Sequence, residues 1–134
     1  MALYKITQTI RLRMATVEFW DNGIINFQLD DNIEVSLADS KEQYEVLRSR
    51  YDGKNKFKIL VEPGRYTSIS KEAREFSTLP DSNAMTAATA VIVQSLAHRL
   101  VINFVISFIQ KQSMKMRMFD SKEKAIEWLL SVKV

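Results

Sequence analysis

His98 is the single imidazole of the chain, and there is no cysteine. General acid–base or nucleophilic catalysis therefore has few candidate groups. A triad needs a nucleophile, a base and an orienting group brought together in space, and no local signature of that kind surrounds His98. Its place beside Arg99 in a helical stretch reads as an ordinary surface histidine. Asp30 and Asp31 are adjacent at the end of a strand-like run. Neighbouring side chains on a strand point to opposite faces, so this pair is a poor cation clamp and is read as a turn. Gly23, Gly53 and Gly64 are far apart, and neither a phosphate-binding loop nor a dinucleotide fingerprint is present. Met114, Met116 and Met118 alternate with Lys115 and Arg117. A soft-metal or adaptable binding surface is conceivable there, but a core-facing methionine row is the commoner arrangement. No catalytic, metal or cofactor residue is assigned, and the chain is not expected to be an enzyme.

The elements that would position any site follow from periodicity. Thr16 to Trp20 and Ile24 to Leu29 read as strands joined by Asp21-Asn22-Gly23, residues that tolerate the positive φ of tight hairpin turns. Ser36 to Tyr51 reads as a helix with Tyr44, Leu47 and Tyr51 on one face. Asp52-Gly53 ends it, with glycine supplying the left-handed cap. Phe57 to Val61 is a short buried strand bounded by Pro63-Gly64. Ser70 caps a short helix from Lys71 to Thr78, with Ala73 and Phe76 inward. Thr86 to Val93 is a buried strand, Ser95 to Gln110 a long helix, and Met114 to Phe119 a half-buried strand. Asp120 with Glu123 suggests a capping box for a last helix whose inner stripe is Ala125, Trp128 and Leu129. This order predicts an α/β domain spanning residues 1–134. Its mixed, mainly parallel sheet has about five strands, an N-terminal β-hairpin and about four helices packed mostly on one face by right-handed crossovers.

Composition narrows the classes further. A hydrophobic fraction of 46% in 134 residues suits one packed domain. The absence of cysteine excludes a disulfide framework and suits a reducing, cytoplasmic setting. The N-terminus lacks the apolar run of a signal peptide. The most apolar stretch, Thr86 to Ile109, is interrupted by His98 and Arg99, so no membrane span is expected. A net charge of +3 is mild, with acids interleaved among the lysines, and no nucleic-acid partner is expected.

Two stretches carry a family resemblance. One runs from Ile59-Leu60-Val61-Glu62 through Ser68-Ile69-Ser70-Lys71-Glu72-Ala73-Arg74. The other runs from Met118-Phe119-Asp120 through Ala125-Ile126-Glu127-Trp128-Leu129. With the order of elements, they resemble the STAS domain of bacterial anti-sigma-factor antagonists, and small bacterial STAS-like proteins compared with CRAL-TRIO lipid-binding domains. The resemblance implies a regulatory fold in which a serine at the start of the second helix is phosphorylated to control a partner. Laid on that pattern, Glu62 sits near the acidic position and Ser70 to Ala73 span the Asp-Ser-Ser-Gly turn. Lys71 then occupies the phosphoacceptor position. Lysine cannot be esterified as serine is, so this chain departs from the phospho-switch. Ser70 reads as a plain helix cap, with Ser68 close by.

Two functional classes follow. The first is a non-catalytic regulatory or protein-interaction module. The second is a binder of a small apolar or lipid-like ligand. Arg65, Tyr66, Ser68, Ser70, Lys71 and Arg74 form the candidate binding surface, because ligands of open α/β sheets sit beyond the carboxyl ends of strands. On the long helix, Ile102, Ile106 and Ile109 flank the polar stripe outside the core-facing arc. Three contiguous isoleucines there predict a homodimer contact.

Overall fold

The computed structural model describes residues 4–77, 79–94 and 115–133. Three strands open the chain as an antiparallel meander: β1 (Ile6–Arg11), β2 (Ala15–Trp20) and β3 (Ile24–Leu29). The β2–β3 turn forms as its residues dictate. Gly23 takes φ +88°, its amide donates to Trp20 O at 3.2 Å, and Asn22 Oδ1 accepts from Ile24 N. Beyond β3 come β4 (Glu34–Val35), helix α1 (Leu37–Arg50), β5 (Phe57–Glu62), β6 (Ser68–Ile69) and α2 (Lys71–Ser77). The chain continues through α3 (Pro80–Asn83), β7 (Thr86–Ile92), β8 (Met116–Phe119) and α4 (Lys122–Ser131).

The main sheet has six strands in the order β1-β2-β3-β5-β7-β8, with β3, β5, β7 and β8 mutually parallel. A separate parallel pair, β4–β6, lies at the carboxyl ends of β3 and β5. The architecture is the mixed, mainly parallel α/β sheet with an N-terminal hairpin that the sequence implies. It is larger by β1, whose residues are almost all exposed, and by the two-residue strands β4 and β6.

Alternation along the strands divides two cores. Val17, Ile25, Phe27 and Ile59 face α1, which contributes Leu47 with Tyr44, Val46 and Tyr51 packed alongside. Helix α2 packs against α1, with Phe76 edge-on to Tyr44 at 6.0 Å between ring centres. The described helices are divided between the two faces rather than packed mostly on one: opposite α1 and α2, Ile24, Leu60, Ala88, Ala90 and Ile92 receive Ala125, Ile126 and Leu129 of α4, because β3, β5 and β7 carry apolar side chains on both faces. Alanines on β7 let that helix approach closely. Ile126, which the expected stripe of Ala125, Trp128 and Leu129 leaves out, is buried, whereas Trp128 is only partly so and leans on Phe119.

Two caps differ from the sequence reading. Ser121, not Asp120, caps α4: its oxygen accepts from Lys124 N, and Asp120 instead pairs with the Lys124 ammonium at 3.7 Å. The extended backbone of Ser121 selects it, since both residue types cap well. Helix α1 ends at Tyr51 in extended backbone, and Gly53 uses its φ of +81° two residues later, within a turn held by Asp52. The expected helix Ser95–Gln110 lies outside the described residues, as do His98, Met114, Thr78 and the isoleucines Ile102, Ile106 and Ile109.

Candidate functional site

At the carboxyl ends of β3 and β5 two loops are fastened together. The loop after β3 carries Asp30, Asp31 and Asn32, and the loop after β5 carries Gly64 to Thr67. Arg65 N donates to Asp31 Oδ1 at 2.7 Å, and Asn32 N donates to Arg65 O at 2.8 Å. Thr67 Oγ1 donates to Asp30 O at 2.8 Å, and Ser68 N to Ile33 O at 2.9 Å. Arg11 holds Asp30 from the far side, and its guanidinium draws that carboxyl below the usual range. Asp31 thus serves as a backbone acceptor, in keeping with a turn.

Among the described residues two other than glycine take left-handed backbone, and both sit in this junction: Asn32 at φ 52° and Tyr66 at φ 59°. Asparagine tolerates that region, but a bulky residue there is a conformational outlier. Such strain, of order 1–3 kcal/mol, persists only where surroundings over-determine it. The interlocking bonds do so here, and they display the Tyr66 side chain at 74% exposure.

Of the six residues expected to form a surface, all lie on one continuous path through the β5–β6 turn, β6 and the first turn of α2. Arg65, Tyr66, Ser68 and Lys71 are exposed. Ser70 is committed to structure: its oxygen accepts from Ala73 N at 3.1 Å and its carbonyl accepts from Arg74 N. Lys71 stands 4.0 Å from Glu75, and Arg74 is half-buried and engaged by neighbours.

The sequence reading missed the residues behind this surface. Asp39 is buried at the start of α1, where Oδ2 accepts from both Ser36 N and Ser36 Oγ at 2.9 Å. Arg13 Nε reaches Asp39 Oδ1 at 2.8 Å, and Arg13 also touches Glu34 O. The Arg13 guanidinium, reinforced by Ser36, holds the Asp39 carboxyl far below the carboxylate range. The Ser36-x-x-Asp39 spacing was the available signal.

A second cluster lies on the α4 face. Tyr4 stacks flat on Trp20 at 3.5 Å, and the Lys122 ammonium lies 5.4 Å from the Trp20 ring centre and 3.4 Å from Glu62 Oε2. Burial works against the Lys122 charge, but Glu62 and Tyr4 outweigh it and raise its pKa. Among the described residues no His, Cys, Asp or Glu triplet gathers that could hold a metal, and no helix is long and apolar enough to cross a membrane.

The paired cores, the parallel strands after a meander, and the helix starting beside the β5 turn define a STAS-like fold. A crystal structure from Shewanella loihica PV-4, of an uncharacterised DUF3478-family protein with a SpoIIAA-like fold, is similar at a TM-score of 0.57 and 16% identity. The likeness covers 96% of this chain and 97% of that one. Residues 19–133 match the family described as domain of unknown function DUF7793, and the chain belongs to that family. No curated protein matches it.

Proposed function

We propose that the domain is a non-catalytic protein-interaction module that engages its partner through the β5–β6 turn and the start of α2. The observation that carries this reading is Tyr66: an aromatic side chain held in left-handed backbone and presented to solvent on a braced turn. A rigid, exposed tyrosine contributes large contact area at small entropic cost and is typical of interface anchors. Arg65, Ser68 and Lys71 surround it with polar groups suited to a rim. Lys71 at the phosphoacceptor position of the STAS pattern makes the surface constitutive, with no serine ester to switch it.

Strain and display make a joint prediction. Tyr66→Gly removes the left-handed penalty and should raise unfolding free energy by roughly 0.5–1 kcal/mol, after allowing for glycine's larger unfolded-state entropy. The same change should abolish partner binding. Benzoylphenylalanine placed at Tyr66, photolysed in cells of the source organism, should give one discrete protein adduct. Excess wild-type protein should compete it away, and Tyr66→Gly protein should not. Equal adducts from a probe at Leu130, which is also exposed, would overturn the reading. So would a small apolar molecule that co-purifies stoichiometrically in native mass spectrometry, which supports the ligand-binding alternative.

A further inference from the structure

The opposite end of the sheet carries the excess positive charge. Lys54 and Lys56 lead into β5 and Lys58 is its second residue, while Lys115 immediately precedes β8 and Arg117 is its second residue. Strand β7 runs between them: Phe57 N donates to Met85 O at 2.7 Å, and Thr89 N to Lys115 O at 2.9 Å. Neighbouring strands lie about 4.8 Å apart; by register Lys115 stands level with Lys58 across β7, roughly 10 Å away, while Arg117 stands level with Leu60. Lys54, Lys56, Lys115 and Arg117 are exposed, and Lys58 is half-buried.

Among the described residues none of these five cations has a carboxylate within ion-pair distance, whereas Arg11, Arg13, Arg48 and Lys122 all do. Asp21 stands at the same end, in the turn before β3, whose Ile24 lies opposite Lys58, and its carboxylate accepts from Lys5 N. Asp52 is engaged by Lys54 N, Asn55 N and Asn55 Nδ2, and Asp81 lies in α3. The sequence between Asp81 and Asp120 contains no Asp or Glu at all. The segment joining β7 to β8 therefore has no carboxylate to give.

We propose that this amino-terminal rim of β5, β7 and β8 is a docking surface for an acidic segment of a partner protein, separate from the Tyr66 surface. Charge complementarity sets the class of partner, since unpaired cations on a rigid rim steer and hold an anionic chain. Lysine predominates, and it binds as a point charge without the paired geometry that arginine offers to phosphate. Tyr51 and Phe57 tilt against each other at 5.8 Å and pack on the α1-side core, and Phe119 lies beneath the Arg117 guanidinium at 5.5 Å and tilts against Trp128. They give no free platform for stacking bases, which favours a polypeptide over a nucleic acid.

The probe is a short fluorescein-labelled poly-glutamate peptide, followed by anisotropy on the full chain. At about 10 mM salt, where screening extends to about 30 Å, it should bind, and binding should vanish by about 1 M, where screening shortens to about 3 Å. Lys56→Glu with Lys115→Glu should weaken binding at least about tenfold. Lys41→Glu with Lys124→Glu makes the same change in net charge away from the rim and should leave it within about twofold. An oligothymidylate of equal length should bind more weakly. Absence of peptide binding at low salt, equal losses in both double variants, or tighter binding of the oligonucleotide would each overturn the proposal. Circular dichroism of each variant verifies folding, and if Lys56→Glu disrupts it, Lys54→Glu with Lys115→Glu takes its place.

Discussion

Gly64→Ala is expected to destabilise the fold by about 3 kcal/mol, near the upper end of what one added methyl costs in a packed site. Gly64 does not need unusual backbone; it needs the absence of a side chain. A Cβ placed there would stand 2.5 Å from Asp30 O, 2.6 Å from Asp30 C and 2.7 Å from Asp31 N. All three atoms are backbone, so no side chain can swing aside. The two loops would have to part, and the bonds from Arg65 to Asp31, from Asn32 to Arg65 and from Thr67 to Asp30 would stretch with them. Each carries about 1 kcal/mol. Urea denaturation is the measurement, and a variant within about 0.5 kcal/mol of wild type would show that the junction yields freely. The same separation releases the constraint on Tyr66, so partner binding should fall along with stability.

Asp39→Ala should cost about 2 kcal/mol at neutral pH, through loss of the reciprocal half of the α1 capping box and of a buried acceptor. One carboxylate receives Ser36 N, Ser36 Oγ and the Arg13 guanidinium, so its removal leaves the first turn of α1 without its capping box. The pH dependence has a definite sign. The native carboxyl titrates well below its usual value, while in the unfolded chain it titrates near 3.9. Its stabilisation is therefore complete above about pH 5 and is lost as the pH falls through about 4 toward the native value. Wild type and Asp39→Ala should differ most at pH 7, and the gap should narrow progressively below about pH 4, with part of it still present at about pH 3. A gap that stays constant across that range would mean that the carboxylate's charge contributes nothing.

The elements legible in the sequence were those with a strong local signal. Asp21-Asn22-Gly23 specifies its own turn, and Tyr44, Leu47 and Tyr51 mark the buried side of α1 by spacing alone. Strand β1 was not legible because Ile6 and Ile10 stand four apart with polar residues between, and its surroundings bury almost none of it. Its place in the sheet comes from pairing with β2, a tertiary effect. Strands β4 and β6 have two residues each, too few for any period, and exist because Asp31, Asn32, Gly64 and Arg65 bring their loops together. Ser121 and Asp120 were indistinguishable as caps until backbone conformation chose between them. The candidate surface is a stretch of chain that runs through the β5–β6 turn, β6 and the start of α2. Its distinguishing feature, positive φ at Tyr66, leaves no mark in residue type, since glycine or asparagine is the residue usually found in such a turn.

The meander of β1, β2 and β3 has a kinetic consequence. Its strands are linked only by Leu12–Met14 and Asp21–Gly23, so its contacts form between near neighbours in the chain. Pairing of β3 with β5, or of β7 with β8, must first close a crossover and meet the entropy of that longer loop. Low sequence separation speeds contact formation, so the meander is the part of the sheet poised to nucleate, and the parallel strands add to it in order outward from β3. Pulse-labelled hydrogen exchange should protect amides of β2 and β3 before those of β7. Simultaneous protection would place the nucleus across the whole sheet.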